Sequence, residues 1–180
     1  ILVQDPALDL ASEANGDSSG PRRLVDNPYK GLRAFTEADA DIFYGRDELI
    51  AKLSSVVEGD AGLTAVVGPS GSGKSSLVQA GLIPMLRDRS DSDWVIAIMR
   101  PGAYPFTELE AALGRAVDEP PLAMNLWSHE SDVLRAVLGI LPDDGSRLLL
   151  VIDQFEELFA LVDEGERDRF LRSLIALATD

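Results

Sequence analysis

The stretch Gly68-Pro69-Ser70-Gly71-Ser72-Gly73-Lys74-Ser75 constrains this chain more than any other feature. It matches G-x-x-x-x-G-K-[ST] at every position, the pattern of a phosphate-binding P-loop. Gly71 and Gly73 let the backbone take positive φ and turn its N–H groups round an anion. A helix starting behind them adds the partial positive charge of its N-terminus. Gly68, Ser70, Gly71, Ser72, Gly73 and Ser76 are therefore expected to line a nucleotide's phosphates. Lys74 is expected to reach the β- and γ-phosphates and the Ser75 hydroxyl to bind Mg2+. The bland alternative is a flexible Gly/Ser turn, but average residue frequencies give this match by chance in about 1% or less of chains this long. Two rival glycine motifs fail: Ser76 stands where G-x-G-x-x-G needs its third glycine, and Ser72 where G-x-S-x-G needs its last.

The surroundings suit such a loop. Residues 63–67 are a short apolar run with β-branched members, as in a buried strand. A helix should follow through Leu77, Val78 and Leu82, with Pro84 ending or kinking it. Upstream, Leu49, Ile50, Leu53, Val56 and Val57 mark one face of a helix over 46–57, with Gly59 as its stop. Residues 94–99 form a second apolar run, halted by Arg100-Pro101-Gly102. A helix then begins near Pro105 and carries Phe106, Leu109 and Leu113. Residues 117–130 read as irregular. Ser131 or Asp132 is a candidate cap for a helix with Val133, Leu134, Val137 and Leu138. After a turn at 142–146, residues 148–152 are five apolar residues in a row, the strongest buried-strand signal. Helices from about Glu156 and through Phe170, Leu171, Leu174 and Ile175 complete the pattern. Alternating strands and helices imply an α/β fold with a parallel sheet covered on both faces.

Asp153 sits directly after the run at 148–152, at the carboxyl end of the expected strand. A carboxylate there can hold the Mg2+ shell beside a γ-phosphate, the Walker B role. Hydrolysis also needs a group that orients the attacking water. Gln154 cannot act as a carboxylate base, which leaves Glu157 first and Glu156 second. Both also suit the first turn of a helix, where carboxylates complement the dipole.

The balance of 16 basic against 31 acidic residues leaves a net charge of −15. Nucleic-acid affinity is driven by Lys and Arg on phosphates, so no direct nucleic-acid contact is expected from this segment. Cysteine is absent and histidine occurs once, which excludes disulfides, thiolate metal sites and multi-histidine sites. No apolar run approaches the roughly 18 residues of a membrane span. A cytoplasmic setting without membrane contact is the expectation.

Taken together, residues 27–180 resemble a STAND NTPase, the signal-transduction branch of the P-loop ATPases. They are most similar to the novel STAND family that precedes WD-repeat propellers in bacterial regulators. The resemblance rests on Asn27-Pro28-Tyr29-Lys30-Gly31-Leu32, Phe35, Glu37 and Phe43-Tyr44-Gly45-Arg46-Asp47-Glu48. It continues through the P-loop with Ser76-Leu77, Gly81-Leu82-Ile83-Pro84, Arg100-Pro101-Gly102, and 148–153 with Gln154-Phe155-Glu156-Glu157. It implies a P-loop NTPase three-layer sandwich and ATP/ADP with Mg2+ as cofactors. It also implies that Phe43, Gly45 and Arg46 pack near the adenine and ribose, as an F-x-G-R box does in relatives. Read bare, Phe43 is equally a core anchor and Tyr44-Gly45 a turn. Arg100 follows the second strand at the carboxyl edge, where phosphates bind; a plain surface arginine is the other reading.

Residues 1–10 read as the end of a helix and a short turn and resemble the end of a bacterial transcriptional activation domain, and 11–26, rich in Ser, Gly, Asp and Pro, read as a flexible linker. The sensor strand of this branch is expected beyond residue 180. The segment is thus read as the incomplete, N-terminal part of the NTPase domain, poorly stable and nearly inactive alone. The resemblance implies a slowly hydrolysing ATP switch within a regulator of transcription. Its expected partners are a C-terminal WD-repeat propeller, N-terminal DNA-binding and activation domains, and a nucleotide-dependent oligomer. The alternatives are a nucleotide-binding scaffold without turnover, or a conventional P-loop ATPase or kinase.

Overall fold

The computed structural model describes residues 2–4, 33–59, 62–88, 94–117, 130–142 and 145–179. The chain is α/β, and its strands pair in parallel. It divides into two compact units, Ile1–Met85 and Leu86–Asp180.

In the first unit, β1 (Leu2–Gln4) is followed by a 3-10 turn (Glu37–Ile42), α1 (Asp47–Glu58), β2 (Ala65–Val67) and α2 (Lys74–Ser76). Thr36 opens the 3-10 turn by donating from both its N–H and its hydroxyl to Asp39 Oδ2, at 2.8 and 2.9 Å. Those two bonds satisfy a carboxylate that is otherwise buried. On α1 the expected apolar face turns inward at Ile50 and Leu53. Gly59 ends the helix as expected, but with an extended backbone rather than the left-handed one glycine often supplies there.

Three features of this unit differ from the sequence reading. The helix after the glycine loop is π-helical over Leu77–Leu82, with the Ile83 N–H donating to Val78 O, five residues back. Pro84 is the second residue of the α-helical segment α3 (Ile83–Arg87), which continues directly from this π turn. It neither ends nor breaks the rod. Strand β2 is not buried: Ala65 and Val67 are exposed and Val66 is half-buried. Among the described residues its one strand neighbour is β1. That neighbour is the third difference, since Leu2–Gln4 is extended and parallel to β2, not the end of a helix and a turn.

The π-helical segment packs against the 3-10 turn and α1. Gly81 makes the approach possible, because an added Cβ would sit 2.7 Å from both Cγ1 and Cδ1 of Ile50. Here glycine is needed for space rather than for an unusual backbone angle.

The second unit runs β3 (Trp94–Met99), α4 (Pro105–Ala116), α5 (Glu130–Ile140), β4 (Arg147–Ile152), α6 (Glu157–Leu161) and α7 (Glu164–Thr179). The two strands pair in parallel from Trp94 opposite Arg147 to Met99 opposite Ile152. Parallel neighbours require a long crossover, which α4 and α5 supply. At the amino end of the pair the Arg147 guanidinium lies 4.5 Å over the Trp94 ring. Pro105 starts α4 as its first residue, pre-set for helical φ.

Val95, Ala97 and Met99 alternate along β3 and face a core with Leu109, Leu113, Val133, Val137, Leu158 and Phe170. Phe170 is fully buried and meets Phe106 edge-on, centroids 5.3 Å apart. Two expected core positions point out: Leu138 is 60% exposed and Ile175 62%. The inward stripe of α5 is Val133, Val137 and Ile140, and residue 138 lies about 100° round from 137 on a 3.6-residue turn. That helix starts at Glu130, so Ser131 and Asp132 lie inside it rather than capping it. Strand β4 is half-buried over its apolar run, less enclosed than the run of five suggested. Residues 118–129, the core of the stretch read as irregular, fall outside the described residues, as do 5–32.

Replacing Phe170 by Ala should lower unfolding free energy by about 3–5 kcal/mol, the cost of a large core cavity. Denaturant unfolding followed by tryptophan fluorescence measures it.

Candidate functional site

The glycine loop leaves β2 at Gly68 and enters α2 at Lys74. Gly71 and Gly73 have φ of +77° and +86°, with nothing within 4 Å of an added Cβ. Their requirement is thus one of backbone hand, and between them the Ser72 N–H donates to Pro69 O at 3.3 Å. Gly68 is needed for a different reason: a Cβ there would come 3.0 Å from Ser72 Oγ. That hydroxyl is buried and makes no hydrogen bond. A buried polar atom without a partner is costly, and in a loop of this shape it suits a ligand that brings one.

Lys74 folds back over the loop, its ammonium donating to the carbonyls of Gly68 and Pro69 at 2.9 Å each. Ser70 is exposed and Ser75 half-buried on the first turn of α2. Ser76 does something the sequence did not suggest. Its buried Oγ accepts the N–H of Phe35 at 3.0 Å, tying the start of the helix to a residue 41 positions earlier.

Phe35 also stacks obliquely on Phe43, with centroids 5.7 Å apart. Phe43 is half-buried, and its Cε1 lies 3.4 Å from where a Cβ on Gly81 would be. It therefore packs beside the helical segment that continues the loop. Gly45 has φ of +80° and is exposed, which makes the Tyr44-Gly45 turn explicit. Arg46 is half-buried just before α1, its carbonyl accepting the Ile50 N–H.

In the second unit the parallel register brings the carboxyl ends of β3 and β4 level. The Asp153 N–H donates to Met99 O at 2.9 Å, extending the ladder by one residue. Asp153 Oδ1 accepts the Gln154 N–H at 3.1 Å, and Oδ2 lies 3.3 Å from the Arg100 guanidinium. The aspartate side chain is only 16% exposed, against 60% for the arginine. Gln154 takes φ of +56°, the one positive φ outside glycine among the described residues. A non-glycine residue held there marks a constrained turn.

The two glutamates separate in role. Glu157 is half-buried, and its Oε2 accepts the Gly102 N–H at 3.1 Å. Glu156 is exposed and stands at the cap position of α6. Sequence reasoning ranked these residues but missed what orients the first. The available signal was Gly102, three residues past β3, whose φ of +55° turns its N–H toward the neighbouring loop.

The sequence model of the family described as Novel STAND NTPase 1 matches residues 28–180. The chain belongs to the Novel STAND NTPase 1 family. Membership of an NTPase family implies nucleotide binding. No curated protein and no solved structure gives a significant match. Among the described residues no helix is long and apolar enough to cross a membrane, and no group of three or more His, Cys, Asp or Glu could hold a metal. A metal here would need other oxygen donors, such as a serine hydroxyl, phosphates and water.

Gly73→Ala should destabilise the nucleotide-free protein by about 1–2 kcal/mol, because its cost is the left-handed φ alone. Equilibrium denaturation compared with wild type gives the value.

Proposed function

We propose that this chain is the nucleotide-binding core of an ATP-driven signalling switch that hydrolyses ATP slowly to reset. The loop at 68–75 carries the reading, with two glycines at positive φ and a buried, unpartnered Ser72 hydroxyl. Membership of the STAND NTPase family supports it. In this reading the loop's N–H groups bind the phosphates, and Lys74 leaves the Gly68 and Pro69 carbonyls to neutralise the β- and γ-phosphates. Ser75 and Asp153 are the residues that would hold Mg2+, which when bound offsets the charge of the phosphates. Glu157 orients or deprotonates the attacking water, held in one direction by the Gly102 amide, with Glu156 as the alternative. The finer architecture in this reading is a P-loop sandwich with a central parallel sheet.

A switch needs contacts that the triphosphate makes and the diphosphate does not. Lys74 and the Ser75–metal pair are the groups of this chain that distinguish the two. The setting we favour is a cytoplasmic bacterial regulator of transcription, with DNA-binding and activation domains before this domain and a WD-repeat propeller after it. That setting rests on the resemblance of residues 1–10 and 27–180 to such regulators.

In the full-length protein, Lys74→Ala should weaken ATP binding about 10- to 100-fold, the worth of one charge-assisted contact. Glu157→Gln should bind ATP normally and turn over about 10²–10⁴-fold more slowly. Calorimetric binding and phosphate release measure the two effects. Absence of ATP binding by the wild type would sink the reading. Binding without any turnover favours a scaffold, and rapid turnover a conventional ATPase or kinase.

A further inference from the structure

The pairing of Arg100 with Asp153 puts a cation on the carboxylate that the reading above assigns to metal. Met99 and Ile152 are opposite one another at the last step of the ladder, so residues 100 and 153 leave the two strands side by side. The backbone on both sides is held. Asp153 N–H is bonded to Met99 O, and Glu157 Oε2 takes the Gly102 N–H two residues beyond Arg100. The backbone position of Arg100 therefore keeps Asp153 within reach of its side chain.

We propose that Arg100 is the resident counter-ion of Asp153 and competes with divalent metal for its Oδ2, a positioning role that sets how much Mg2+ nucleotide binding needs. The inference rests on the nucleotide reading above. A guanidinium and a hydrated divalent cation cannot share one edge of a carboxylate, since the two positive charges repel at contact distance. The exposures of the partners decide which wins. Asp153 is mostly enclosed, and the oxygen that the guanidinium approaches is Oδ2, while Oδ1 takes the Gln154 N–H. Arg100 is 60% exposed, and an ion pair with one partner in water is weak enough to open. Arg100 thus stabilises the empty site and yields when metal arrives, its head group swinging into solvent. Metal-free protein keeps its Walker acid neutralised and its two loops together.

The test uses full-length protein and fluorescently labelled ADP, with MgCl2 titrated against a chelated baseline. Arg100→Gln should lower the half-saturating Mg2+ concentration about two- to fivefold, the equilibrium worth of such a pair. Arg100→Lys, which keeps the charge, should stay near wild type. Asp153→Asn should remove most of the Mg2+ dependence. An unchanged midpoint in Arg100→Gln, with labelled ADP still binding, overturns this inference alone. Failure of labelled ADP to bind wild type at any Mg2+ concentration overturns the nucleotide reading and this inference with it. A higher midpoint in Arg100→Gln also overturns it, because Arg100 would then be assisting metal rather than competing.

Discussion

The hydrogen-bonded parallel register of β3 with β4 is the constraint on which the second unit's cluster of Arg100, Gly102, Asp153 and Glu157 depends. Parallel strands end on the same side, so the loops that follow them emerge together. The bond from the Asp153 N–H to Met99 O carries that pairing one residue past the strands. Arg100 then meets Asp153, and Gly102 meets Glu157, without any further device. A one-residue slip would turn every side chain of a strand to its other face and separate both pairs. The core beneath resists the slip, since Val95, Ala97 and Met99 would leave the apolar cluster they help to build.

The glycine loop in the other unit rests on a different kind of constraint. Its shape comes from backbone hand at Gly71 and Gly73, and from lack of space at Gly68. It holds one hydroxyl buried without a partner, while the Lys74 ammonium is satisfied by two backbone carbonyls. Behind the loop the helix widens into a π register, a form that recurs at functional sites. The same segment carries Gly81 against Ile50 and Phe43, while Ser76 takes the Phe35 N–H. The helix behind the loop and the 35–50 segment are thus packed together.

Much of this was legible from residue order. The strand at 94–99, the helix opened by Pro105, the strand ending before Asp153 and the helix at 47–58 all follow from apolar period and punctuation. Local patterns did less well where neighbours decide. Leu138 and Ile175 fit an apolar stripe but fall just outside the arc that a partner covers. Residues 63–67 read as a buried strand, yet Leu63 is 70% exposed and Val67 47%, because burial depends on what lies alongside.

By itself the sequence determined the phosphate loop, the acid at the end of a strand and the family, because each is a matter of residue type at fixed spacing along the chain. Tertiary structure alone decided that Glu157 faces the Gly102 amide, that Asp153 carries Arg100, and that Ser76 serves Phe35. Those contacts join residues 41 to 55 positions apart. At such separations only strand register and helix packing, not local pattern, say which side chains meet.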